Sequence, residues 1–317
     1  MLSSLVLLLS SAAGSALALN NGLATTPQMG WNTWNYHACE INSSVILDAA
    51  SAIKQRGLDQ LGYKYVSLPI LYSACNWGED GPWNFGSEIF NSWRMSGDVA
   101  NSFDRASDYC PCESTIGCQL AGFHCNIRKI INMAAPLGQK AGPGRWNDLD
   151  MLQIGNGALN RDESITHFSL WSALKSPLIL GNDVSTDLTR FSNESLAIVA
   201  NEHVIAVNQD PLGTPAERIL NLDSGTHQVW TGPLTNGSYV VAMVNFAEEP
   251  WTRTLTLADI FYDAGKEDQQ ARSAAWNVYD LWEGMSSRAL SSLKSMTDGA
   301  AAPLSLKDQN VPSQDQV

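Results

Sequence analysis

Asp98, Asp148 and Asp150 are the residues whose type and setting could do chemistry. Asp98 closes the run Trp93-Arg94-Met95-Ser96-Gly97-Asp98, and the other two stand in Trp146-Asn147-Asp148-Leu149-Asp150-Met151-Leu152. Alternate residues of an extended chain share a face, so Asp148 and Asp150 are expected to point the same way. Hydrolysis of a glycosidic bond needs two carboxyl groups, about 5 Å apart when one is a nucleophile and the other an acid/base. Eleven Trp in 317 residues could supply flat apolar platforms for sugar rings, although core filling is the ordinary use of most indoles. Taken singly, each Asp also fits an exposed turn. Asp-x-Asp could hold a metal, but two carboxylates do not fill an oxygen shell.

These residues need a scaffold. Pro27–Tyr36 reads as a short aromatic strand. A helix over 45–56 follows from the spacing of Val45, Ile46, Ala49, Ala50 and Ile53, capped by Ser43 or Ser44 and ended by Gly57. Strand candidates come at Tyr63–Val66, Trp93–Asp98, Trp146–Leu152 and Pro177–Leu180. Helical patterns fall at Cys125–Ala135, Ile165–Leu174 and Leu196–Val204. Alternating β and α elements predict a parallel sheet with helical crossovers, open or closed into a barrel. Barrel enzymes keep their catalytic carboxylates at the C-terminal ends of such strands. After Pro211-Leu212-Gly213 the pattern changes to short strands at His227–Thr231, Tyr239–Phe246, Trp251–Leu257 and Ala275–Trp282, with an Asn236-Gly237 hairpin turn. The predicted domains are therefore a barrel-type unit over 19–212, an antiparallel β unit over 213–285 and a loose tail over 286–317.

One run breaks the pattern. Tyr65-Val-Ser-Leu-Pro-Ile-Leu-Tyr-Ser-Ala-Cys75 is long for one strand and carries Pro69, which deletes a ladder donor. Two successive parallel strands would need a crossover of a dozen residues or more, and none is present.

Composition narrows the function classes. The net charge of −13 disfavours nucleic acid or an anionic membrane as partner. Residues 1–18 read as a signal peptide, with an apolar centre at Leu5–Leu9 and an Ala16-Leu17-Ala18 cleavage site, so export is expected. Sequons at Asn42, Asn193 and Asn236 are compatible with that. Cys110, Cys112, Cys118 and Cys125 predict disulfides rather than zinc, because Cys110-Pro111-Cys112 lacks knuckle spacing and exported chains meet an oxidising compartment.

Several ordered motifs resemble the α-galactosidases of glycoside hydrolase family 27, of fungal style, over about residues 20–285. They are Met29-Gly-Trp-Asn-Thr-Trp-Asn35, Tyr72-Ser-Ala-Cys-Asn-Trp-Gly78, Asn91-Ser-Trp-Arg-Met-Ser-Gly-Asp98, Gly144-Arg-Trp-Asn-Asp-Leu-Asp-Met-Leu152, Lys175-Ser-Pro-Leu-Ile-Leu-Gly-Asn-Asp183 and Asn208-Gln-Asp-Pro-Leu-Gly213. The resemblance implies an α/β fold: a (β/α)8 TIM-barrel catalytic domain followed by an antiparallel β-sandwich. It implies removal of terminal α-linked galactose, with retention, from oligosaccharides such as raffinose-type sugars and galactomannans, and no cofactor. Activity on α-N-acetylgalactosamine or β-L-arabinopyranose lies within the same family. By motif, Asp98 matches the acid/base and Arg94 a ligand of the sugar hydroxyls. Trp34 matches the aromatic wall, Cys75 and Trp77 lie near the 2-hydroxyl, and Asp150, beside Met151, accepts hydrogen bonds from the sugar. The match also implies that Cys75 is a free thiol.

The chain departs from the family at two places. The family's Asp-Asp-Cys-Trp motif and its Lys-Tyr-Asp-like nucleophile motif are both absent. Pro27 to Asn182 spans 156 residues, where a TIM barrel typically takes about 250. The expectation is an incomplete barrel, interrupted near 66–69, without its nucleophile, and with Cys39 deprived of a bridging partner.

Overall fold

A computed structural model describes residues 21–65, 71–105, 110, 124–184, 191–261 and 271–283. The expected leader, the interruption near 66–69, Cys112, Cys118 and the tail after 286 lie outside the described residues.

Five short parallel strands form the site-bearing unit: β1 (Met29–Trp31), β2 (Ser73–Ala74), β3 (Ser92–Arg94), β6 (Trp146–Asp148) and β7 (Leu178–Leu180). A separate parallel pair, β4 (Asp98–Val99) and β5 (His124–Cys125), follows β3 in the chain. β2, β3 and β6 pair in that order, and β1 pairs with β7. Leu152, just beyond β6, bridges Leu180, and Tyr65 bridges Gly30. The result is one arc: Tyr65, β1, β7, the β6–Leu152 segment, β3 and β2. Among the described residues it holds six positions, where a closed (β/α)8 barrel has eight. Gly30 is required at its place, because a Cβ there would meet the Tyr65 carbonyl at 2.6 Å.

Helices cover the arc. α1 (Trp34–His37) occupies the end of the expected 27–36 strand, which shrinks to three residues. α2 (Ser43–Gln55) buries Ala49, Ala52 and Ile53; its cap is Asn42, whose side chain accepts from Val45 N at 3.1 Å, and not Ser43 or Ser44. α3 (Ile127–Ala134) is capped by Asn126 and buries Ile127, Ile130, Ile131 and Met133. α4 (Arg161–Ala173) opens on an Asn160/Glu163 capping box, with Asp162 and Glu163 favouring its positive end. The single helix expected over 196–204 is two, α5 (Asn193–Val199) and α6 (Glu202–Asn208), because Asn201 caps the second by accepting from His203 N and Val204 N.

Four Trp fill the interior: Trp93, Trp146, Trp171 and Trp230 are fully buried. Each indole N–H finds an acceptor at 2.7–3.0 Å, which removes the penalty for burying it. Core filling thus accounts for these four.

The C-terminal sheet is antiparallel, with order β10 (Tyr239–Asn245), β9 (His227–Pro233), β8 (Glu217–Leu222). The Asn236-Gly237 turn joins β9 to β10 as expected, both residues at positive φ. β8 was not expected; none of its residues is buried, Glu217 and Asn221 being exposed and the other four intermediate, so period-2 contrast is weak. The strands expected at 251–257 and 275–282 are not strands: the first gives way to α7 (Leu257–Ile260), whose capping box Thr256/Asp259 offers the backbone a helical start. Trp251, Leu255, Phe261 and Trp276 instead pack on the sheet as irregular chain.

Candidate active site

The functional side chains gather where the parallel strands end. Arg94 is the last residue of β3 and Asp148 the last of β6, the two being paired in register. Arg94 Nη2 lies 3.0 Å from Asp98 Oδ1 and 3.0 Å from Asp150 Oδ2, and donates to the Gly97 carbonyl at 2.9 Å. Burial works against the Arg94 charge, but Asp150, Asp148 and Asp98 outweigh it and hold the guanidinium above its ordinary pKa.

Asp150 is fastened on every side. Oδ2 accepts from Val99 N and Oδ1 from Met151 N, both at 2.8 Å. Its carbonyl accepts from Trp171 Nε1 at 2.8 Å, and its own N–H donates to Asp148 Oδ1 at 2.8 Å. That last bond turns the chain, and Asp150 sits at φ +82°. Asp148 and Asp150 are therefore related by a side-chain-to-backbone turn, not by the strand alternation expected, because β6 stops at Asp148. Burial raises Asp150 to about 6, against the lowering effect of Arg94. Burial also raises Asp148.

Asp98 is the open member. Its side chain is 36% exposed, against 8% for Arg94 and Asp150. Oδ1 receives Arg94 and also Trp77 Nε1, at 3.1 Å. Trp77 takes φ +53° in a turn whose next residue, Gly78, could carry no Cβ: it would meet the Met95 carbonyl at 2.4 Å. Asp98 Oδ2 faces His124 Nε2 at 3.8 Å, the two residues being paired in the β4–β5 ladder. Cys110–Cys125 anchors β5 beside it.

Cys75 follows β2 directly, as an exposed free thiol, as is Cys39. Cover over part of the Cys75 side chain raises its pKa; Arg94 opposes this, and Asp148, Asp150 and Asp98 add to it. Met151 contributes its N–H to Asp150. Trp34 stands apart. It is 58% exposed on α1 and lines a cleft of about 820 Å³ with Tyr36, Val99, His124, Gln153 and Asp183. That cleft reaches the cluster through Val99 and His124, which flank Asp98; Asp98, Arg94 and Asp150 do not line it.

The sequence reading missed His124 and the supports on α4. His124 begins the strand after the Cys cluster, and its register opposite Asp98 is a tertiary fact. The 149–153 loop is held from behind: Leu149 N donates to Ser176 Oγ, the Asp150 carbonyl takes Trp171, and Gln153 N donates to His167 Nε2 at 3.0 Å. The i, i+4 spacing of His167 and Trp171 was the available signal. Among the described residues, no group of three or more His, Cys, Asp or Glu is placed to hold a metal ion.

Comparison with known proteins decides the family. Two α-galactosidases, from Saccharomyces mikatae and Lachancea cidri, are each 33% identical to the chain. The first alignment runs over 379 positions and takes in 83% of this chain and 79% of the relative; the second takes in 85% and 81%. The chain belongs to the α-galactosidase family, glycoside hydrolase family 27. A family model for alpha galactosidase A matches residues 84–210 of this chain, and one for the alpha galactosidase C-terminal beta sandwich domain matches residues 224–305. Its structure is similar to α-galactosidase I of Mortierella vinacea, with TM-score 0.71 and 35% identity over 78% of this chain and 88% of that one. It is also similar to the Saccharomyces cerevisiae α-galactosidase, with TM-score 0.77 and 31% identity over 87% and 85%. The latter enzyme has also been solved with raffinose. The α-galactosidase architecture, a TIM barrel followed by an antiparallel β-sandwich, is carried here as an incomplete barrel and a three-stranded antiparallel sheet.

Proposed function

We propose that this chain retains the galactose-holding half of a retaining α-galactosidase site and lacks the half that attacks the anomeric carbon. Its substrate class is an oligosaccharide or polysaccharide ending in α-linked galactose. Asp98 is the acid/base that protonates the leaving oxygen, and Trp77 and Arg94 orient it. Arg94, Asp150, Met151 and Cys75 form the polar wall of the sugar site, and Trp34, in the cleft that adjoins it through Val99 and His124, is its aromatic side.

The observation that carries this reading is the state of the cluster's carboxylates. A retaining reaction needs an anionic carboxylate facing the anomeric carbon opposite the acid. Both Asp150 oxygens are already engaged, and Asp148 Oδ1 is spent on the Asp150 N–H. Asp150 shares Arg94 Nη2 with Asp98, and Asp148 pairs in register with Arg94. The alignments support an internal gap: 379 positions are matched by 83% of 317 residues, about 263, so about 116 positions of the relative face no residue of this chain.

Hydrolysis of an aryl α-galactoside, measured beside a galactose titration, tests the reading. The expected result is weak sugar binding without turnover. Turnover by protein of verified intact mass, abolished by Asp98→Asn, overturns it and points to a recruited carboxylate, with Asp150 the first to examine.

We infer also that the protein is exported. The leader-like residues 1–18 and the Cys110–Cys125 bridge support this, since such bridges persist in oxidising compartments. Fractionation of cells expressing the full chain, with an N-terminal sequence of any exported product, is the check. No described helix is long and apolar enough to cross a membrane.

A further inference from the structure

Val99 joins the two carboxylates that share Arg94. It follows Asp98 directly in β4, and its N–H donates to Asp150 Oδ2 at 2.8 Å. Its carbonyl is used as well, accepting from Gln153 Nε2 at 3.2 Å. Both backbone groups of one residue thus fix where Asp98 stands relative to Asp150. Gln153 is buried, and its Oε1 accepts from Asn156 Nδ2 at 2.7 Å, which sets the amide with Nε2 toward Val99.

His167 holds the backbone of Gln153, whose N–H donates to His167 Nε2 at 3.0 Å. A ring nitrogen that accepts carries no proton, so neutral His167 has its proton on Nδ1. Among the described residues Nδ1 has no hydrogen-bond partner, although the ring is fully buried. An unpartnered buried donor is destabilising, and an apolar side chain at this position would not carry one. The bond to Gln153 is what the imidazole supplies that an apolar side chain could not. One turn further along α4, Trp171 holds the other end of the same loop through the Asp150 carbonyl. The two rings meet edge-on and brace each other. Full burial keeps His167 itself away from any sugar in the cleft.

We propose that His167 is a positioning residue of the sugar site: through Gln153 it holds Val99, and so sets the spacing of Asp98 and Asp150 around Arg94. The inference rests on the proposed galactose-holding role of this cluster, and it adds a residue that acts on the cluster without touching the sugar.

The test compares the full chain with His167→Leu, His167→Gln and Phe168→Leu by amide hydrogen exchange and by galactose titration. His167→Leu removes the acceptor. The Val99 N–H is then expected to exchange about tenfold faster relative to the amides of α2, and galactose affinity to fall about tenfold. His167→Gln keeps an acceptor and should restore both to within about threefold of the parent. Phe168→Leu trims the core at the next position of α4 and should leave both at the parent's values, which a merely structural role for His167 would not predict. If His167→Leu does not fold, His167→Phe, which keeps a ring without an acceptor, is read in its place. Val99 exchange that is unchanged by the loss of the acceptor, unrestored by Gln or equally raised by Phe168→Leu overturns the proposal. So does an affinity that holds while Val99 loosens. A parent that binds no galactose overturns the proposed function instead, and Val99 exchange alone then decides whether His167 positions the cluster.

Discussion

Asp98 and Asp150 are tied through one nitrogen: Arg94 Nη2 lies 3.0 Å from an oxygen of each. One guanidinium thus holds a buried and an open carboxylate together. Arg94→Ala leaves Asp150 as an uncompensated buried charge, and the expected loss of stability is about 3–5 kcal/mol. Arg94→Lys keeps the charge but not the planar fork, so it should recover only part of the loss. Urea denaturation of the two variants beside the parent measures both.

Asp150 makes stability fall as pH rises. Its pKa in the fold is about 6, above the ordinary 3.8, so the folded state binds the proton more tightly than the unfolded one. Its contribution is full below about pH 4 and is lost as pH climbs through about 6, on the order of 3 kcal/mol for a shift of two units. The difference in unfolding free energy between the parent and Asp150→Asn should change across that window and be flat above it. A flat difference from pH 4 to 7 contradicts the assignment.

His167 acts in the opposite sense. It is fully buried, accepts from Gln153 N through Nε2, and meets Trp171 edge-on with ring centroids 4.1 Å apart. Burial lowers its pKa from 6.5 to about 3. Its stabilising effect is complete above pH 6.5 and is lost as pH falls toward 3, by roughly 1.4 kcal/mol per unit. His167→Gln keeps an acceptor and cannot titrate there, so its melting temperature should fall less steeply with acid than the parent's.

The bridge between Cys110 and Cys125 closes a 15-residue separation. Replacing both with Ser should cost about 3 kcal/mol. Because Cys125 follows His124 in β5, opposite Asp98 and Val99, the loss should also loosen the edge of the site. Hydrogen exchange of the β4 and β5 amides is the direct measurement.

Trp34 offers a contrast. No residue of α1 is buried, so Trp34→Ala should leave stability within about 0.5 kcal/mol of the parent. Sugar affinity should fall, since a stacking platform is removed. Calorimetric titration with an α-galactoside, run beside a thermal melt, separates the two effects.

The ordered motifs determined, with no help from the fold, which family this is; the roles proposed for Asp98, Arg94, Asp150 and Cys75 come from their neighbours along the chain. Local chemistry was legible too. Apolar spacing marked α2, α3 and α4, and Asn236-Gly237 marked a hairpin, because caps, periods and turns depend on residues a few places apart. The strands were read too long, at 93–98 and 146–152, since a run of apolar residues does not say where its ladder partner ends. What the tertiary structure alone decided is the meeting of side chains distant in sequence. Asp150 gained its backbone donor from Val99 and its support from Trp171, and turned at φ +82° through Asp148 where alternation had put both Asp on one strand face. His124 came to face Asp98 through a strand register. Periodicity along the chain reports which face of an element is apolar; which element that face meets, and at what register, is settled only when all the packing partners compete for the same space.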